Sequence, residues 1–145
     1  MKVRKYEGFS LIEILVVVAL IIILATITIV AINPAKNFRD TRNAQRSADV
    51  MQILNAVTQY TSEEGHSISQ LGTISTDCTL PTNVVTGTAL ETALVDEYIV
   101  AIPFDPLADE TTTDTGYDIC ITGTSGRVQV MAPLAEDGKV ITVKR

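Results

Sequence analysis

An uninterrupted apolar run, Ile14 to Ile32, restricts this chain more than anything else in it. No side chain in that run is charged, and only Thr26 and Thr28 carry a polar group. At about 1.5 Å per residue a helix over the run spans roughly 28 Å, close to the roughly 30 Å of a bilayer's hydrocarbon core. A domain of this size has too little interior to bury such a helix on all sides, so the run reads as a membrane segment. Two details set it apart from an ordinary anchor. Glu13 stands at its start, where a carboxylate is costly unless it snorkels to the interface or is paired. The basic residues Lys2, Arg4 and Lys5 lead to Gly8, and this small residue precedes the apolar run. A secretory signal has the opposite order, with its cleavage site after the apolar stretch. A signal of that kind, cut near Ala31 or Ala35 to release a soluble protein, is the competing reading.

The stretch Gly8-Phe9-Ser10-Leu11-Ile12-Glu13, with its basic leader and apolar continuation, resembles the N-terminus of type IV pilins and pseudopilins. The close likeness covers about Lys2 to Gly65, and the remainder is similar only in general layout. The resemblance implies that a membrane peptidase and methylase cuts between Gly8 and Phe9 and methylates the new N-terminus at Phe9. Glu13 matches the family's glutamate. Cleavage frees an α-amine that is positive at neutral pH and supplies Glu13 with a partner. Between two subunits such a pair fixes axial register, because leaving either charge alone in apolar surroundings is expensive. The resemblance further implies a leader in the cytoplasm, a head outside, and a subunit held in membrane lipid until an assembly platform draws it into a helical homo-oligomeric filament. Basic residues flank the run on both sides, Lys2, Arg4 and Lys5 against Lys36, Arg39, Arg42 and Arg46, so charge counting alone does not choose the orientation.

The division that follows is a leader over 1–8, a membrane and filament-core helix over 9–32, its continuation over 33–65, and a small globular head over 66–145. The fold class is α+β: a long N-terminal helix kinked near Pro34, then a small antiparallel sheet. From Ser67 onward four basic side chains face eleven acidic ones, a net of −7. Such a head is poorly suited to phosphate contacts, and no direct nucleic-acid partner is expected. Cys78 and Cys120 allow a single internal disulfide, with two free thiols as the alternative. There is no phosphate-binding loop, no G-x-S-x-G and no metal-ligand triplet, so the chain reads as a building block with no cofactor, not as an enzyme.

Beyond Asn33-Pro34 the pattern stays helical to about Glu64, with Phe38, Ala44, Ala48, Met51, Leu54, Val57 and Tyr60 recurring at steps of three and four. The basic cluster Lys36, Arg39, Arg42 and Arg46 reads either as a contact for lipid headgroups or neighbouring subunits, or as a solvated and partly self-paired face. His66, the one histidine, reads as a surface residue without a role. Ser67 to Gly87 is polar and turn-rich, hence a loop. Thr88-Ala89-Leu90-Glu91 fits a capping box for a helix to about Tyr98. Asp105, Asp109, Glu110 and Asp114, with Asp118, are carboxylates that would gather around a hard cation such as calcium, the alternative being a plain acidic loop. Pro103-Phe104-Asp105-Pro106 is similar to a stretch that precedes a calcium loop in major pseudopilins of type II secretion, without the aromatic–glycine continuation found there. Three strands close the chain, Tyr117–Thr122, Arg127–Ala132 and Val140–Lys144, as a meander packed on the helix. A filament subunit is the function implied. The alternatives are a major pseudopilin, or a minor pilin or membrane-anchored binding module.

Overall fold

The computed structural model describes residues 8–109, 111–123 and 125–145. The leader before Gly8 lies outside the described residues, as does Glu110. The chain falls into two compact units, one ending at Phe38 and one spanning Arg39–Arg145.

The first unit is built on α1, Leu11–Ile32, a helix with no buried residue. Its two hydroxyls are satisfied internally. Thr26 donates to the Ile22 carbonyl and Thr28 to the Leu24 carbonyl, each at 2.8 Å. Beyond Glu13 in its first turn the helix presents only apolar groups, and it is long and apolar enough to cross a membrane. The kink expected near Pro34 is a full break at Asn33, which adopts a left-handed conformation (φ 45°, ψ 75°). Its carbonyl and its side-chain oxygen both receive the Lys36 N–H. Asn33 thus ends α1 and caps α2, Pro34–Ser62, with proline at the first position, where it forfeits no hydrogen bond.

In the second unit four antiparallel strands form one sheet in the order β1-β2-β3-β4: Thr82–Val85, Asp114–Ile121, Val128–Met131 and Thr142–Lys144. The last three are the expected meander. The first arises inside the segment read as loop, because four residues carry little local signal. Pairing with β2 through Thr82↔Ile119 and Asn83↔Asp118 makes it a strand. The inner face aligns Ile119, Val130 and Val143 across three strands. It shares one core with Val50, Ile53, Leu54, Val57 and Tyr60 of α2, so the sheet does pack on the helix. A 3-10 turn, Ile68–Leu71, and a short helix α3, Ala89–Leu94, close the flank. Helix α3 stops short of Tyr98 because Val95 turns extended and Asp96 enters the left-handed region (φ 76°). The capping box there is incomplete: Glu91 accepts from the Gly87 N–H, while the Thr88 hydroxyl turns back to the Val85 carbonyl.

Helix α2 buries a face that apolar periodicity misplaces in its first turns. Ala44, Ala48 and Met51 are exposed, whereas Asn43, Arg46 and Asp49 are buried in line with Val50, Ile53 and Val57. Phe38, in the first unit, is also exposed.

Candidate processing and assembly site

Gly8 stands clear of the fold, with nothing within 4 Å of where a Cβ would sit, and Phe9 beside it is 81% exposed. The backbone at Gly8 and Phe9 lies outside any helix or strand. Four residues past Phe9, the Glu13 carboxylate accepts the Ser10 N–H at 3.3 Å. It thereby occupies one of the donors that a helix start leaves unpaired. Glu13 is thus held at the helix entrance.

The basic cluster is for the most part consumed within the chain. Arg39 pairs with Asp137 at 2.8 Å. Arg42 grips Glu136 with two bonds of 2.6 Å. Arg46, with no exposed surface, binds Asp105 through Nε at 2.6 Å and a second nitrogen at 2.9 Å, and reaches Glu136 and Asn43 at 3.0 Å each. Asn43 completes the lattice by accepting the Glu136 N–H and donating to its carbonyl. Lys139 adds a pair to Asp40 at 2.9 Å. Of the two readings of this cluster, lipid or neighbour contact gives way to self-pairing for Arg39, Arg42 and Arg46, because the loops carrying Asp105 and Glu136 fold back onto the same helix face. Arg42, and then Arg46, hold the Glu136 carboxyl down at about 2. Hydrogen bonding to Asp105 raises the Arg46 guanidinium above its ordinary value. Next to them the Tyr117 hydroxyl donates to Asp49 at 2.6 Å. Burial pushes both groups up, and for Tyr117 the bond to Asp49 adds to the effect.

Sequence reasoning missed this lattice, although a signal for it existed. Asn43, Arg46, Asp49 and Val50 continue the spacing of Ile53, Val57 and Tyr60, so the polar residues extend the buried stripe. A buried arginine on that stripe requires carboxylates from elsewhere in the chain.

The candidate calcium carboxylates go to separate tasks. Both Asp105 oxygens face Arg46, and one also accepts the Leu107 N–H. Asp109 caps Thr111, and Asp114 binds Asn83 and the Gly116 N–H. Asp118 lies on the outer face of β2. Among the described residues no three His, Cys, Asp or Glu side chains are arranged to hold a metal ion. Cys78 and Cys120 are joined in a disulfide with a Cα separation of 5.3 Å, which ties the segment before β1 to β2. His66 stacks on Tyr60, ring centroids 4.2 Å apart.

No curated protein and no solved structure shows a significant match to the chain. A family model does match at the N-terminus: residues 3–29 carry the prokaryotic N-terminal methylation motif, the signature of type IV pilins and pseudopilins, and with it the mark of a prepilin-type substrate.

Proposed function

We propose that this chain is the structural subunit of a type IV pilus-like filament. Water adds across the Gly8–Phe9 peptide bond, leaving a carboxylate on Gly8 and an ammonium on Phe9, which is then methylated. The subunit sits in the cytoplasmic membrane with its leader inside and its head outside. An assembly platform then transfers α1 from lipid into a helical array of like helices. The observation that carries this reading is a 22-residue helix with no buried residue, whose one charge stands at the end where processing would create the opposite charge. In that array the Phe9 amine of one subunit takes the Glu13 carboxylate of another in place of the Ser10 N–H. An unpaired ion in apolar surroundings is costly enough to enforce register.

The test has two parts. Intact mass of the mature chain is expected to show loss of Met1–Gly8 and gain of one methyl group. Glu13→Ala and Glu13→Gln are expected to be processed normally yet to give at least about tenfold fewer sheared filaments. A mature chain that still begins at Met1, or a full filament yield from Glu13→Ala, refutes the mechanism.

A further inference from the structure

The register across the sheet places Asn83, Asp118, Met131 and Thr142 in one row on its outer face. A groove of about 240 Å³ opens over that row, walled by Pro81, Met131, Pro133, Val140 and Ile141. Val140 on its wall is left uncovered, at 89% exposure. The Asp118 carboxylate, half-buried among these walls, has no hydrogen-bond or ion-pair partner among the described residues. Its neighbours differ in this. Asp105, Glu136 and Asp137 hold arginines, Asp114 holds Asn83, and Asp77 and Asp109 hold threonines. Lys139 borders the same groove but gives its ammonium to Asp40. Burial, and after it the nearby Asp114, push the Asp118 carboxyl upward, as expected of an anion partly removed from water without a counterion.

We propose that this groove receives the Arg127 side chain of a second copy of this chain, whose guanidinium pairs with Asp118. The contact rests on the filament reading above and specifies how neighbouring heads meet. A half-buried carboxylate between apolar walls suits arginine, whose planar fork makes two parallel bonds while its stem lies along the walls. Among the described residues the cations without a partner are Lys36, Arg127 and Lys144, and Arg127 is the arginine of the three. It stands exposed at the turn between β2 and β3.

The groove and Arg127 are set apart along the sheet, because Arg127 stands four residues before Met131, about 13 Å along the strand. The groove is bordered by Lys139, which reaches Asp40 near the start of the head's helix. The turn at Gly126 borders Thr58, Thr61 and Ser67 near that helix's far end. A contact in which one patch of a subunit meets a different patch of the next can repeat without closing, as a filament needs. Lys144 lies on the same outer face, since it pairs with Gln129 two residues from Met131, but its ammonium is a point charge where Arg127 offers a planar fork.

The full chain, expressed with its processing and assembly machinery, tests this. Asp118→Arg and Arg127→Asp are each expected to lower sheared-filament yield about tenfold or more, and the double swap to restore most of it. Asp118→Asn guards against misfolding of the bulkier variant. It is expected to lower the yield as well, with its head disulfide intact and its N-terminus trimmed and methylated. Wild-type yield from Asp118→Asn, failure of the double swap to restore filaments, or restoration by Lys144→Asp in place of Arg127→Asp overturns the contact while the filament reading stands. Absence of filaments from the trimmed, methylated wild-type chain overturns both.

Discussion

Replacing Arg46 by methionine keeps most of the side-chain volume and removes the charge. The structure sets the cost. Arg46 and the Asp105 side chain both have no exposed surface, and two of the guanidinium's bonds, 2.6 and 2.9 Å long, go to that one carboxylate. Without Arg46, Asp105 keeps only the Leu107 N–H, and its buried charge is left uncompensated. Losing one member of a buried pair costs about 3–5 kcal/mol, and a domain of this size is stable by only about 5–15 kcal/mol. With urea slopes of about 1–3 kcal/mol per molar, the unfolding midpoint should fall by roughly 2 M. The assay is urea unfolding of the full chain in detergent, oxidised, followed by the near-UV circular dichroism of Tyr60, Tyr98 and Tyr117, all in the head. Arg42→Ala is the control. Its pair with Glu136 is partly exposed, at 29% and 18%, and such pairs contribute about 0–1 kcal/mol. The double variant Arg46→Met, Asp105→Leu leaves no orphaned charge at that position and should recover most of the loss. A shift below about 0.5 M for Arg46→Met, or a double variant weaker than the single, would falsify this account of the lattice.

Two further outcomes follow from the same region. Gly116 has φ 77°, and a Cβ there would lie 2.9 Å from the Asp105 Cβ and 3.2 Å from the Ala108 Cβ. Gly116→Ala should cost roughly 2–4 kcal/mol from backbone strain and overpacking, while Gly138→Ala, also at positive φ but with nothing nearby, should cost only about 1–2; equal melting points for the two would refute the crowding argument. Glu136 is depressed from 4.5 to about 2, so its contribution to stability is present above about 4.5 and is lost as pH falls toward about 2. The melting temperature should therefore drop across that window in the wild-type chain and drop less in Glu136→Gln, and parallel curves would count against the assignment.

The parts of this molecule that were legible from sequence depend on local pattern. The apolar run forms a helix from its own residues, and the methylation motif is contiguous. The alternation in Tyr117, Ile119 and Ile121 marks a strand with one buried face. What escaped depends on distant parts of the chain. Thr82–Val85 becomes a strand because β2 offers it an edge. The first head turns of α2 bury Asn43, Arg46 and Asp49 because carboxylates arrive from 59 and 90 residues away. A rule that equates burial with apolarity chooses Ala44 and Ala48 there and selects the wrong face. The acidic residues around Pro106 mislead for the same reason: composition suggests a shared ion, while Asp105, Asp109 and Asp114 partner an arginine, a threonine and an asparagine.

The lattice around Arg46 also sets an order of events. A ribosome delivers Arg46 well before Asp105, and Glu136 follows 90 residues after Arg46. Until that last carboxylate arrives, the arginine has no complete set of acceptors, and its face of α2 has nothing to close against. Contacts of such long sequence separation form late and slowly. The head therefore stays open on this face until Glu136 has been made.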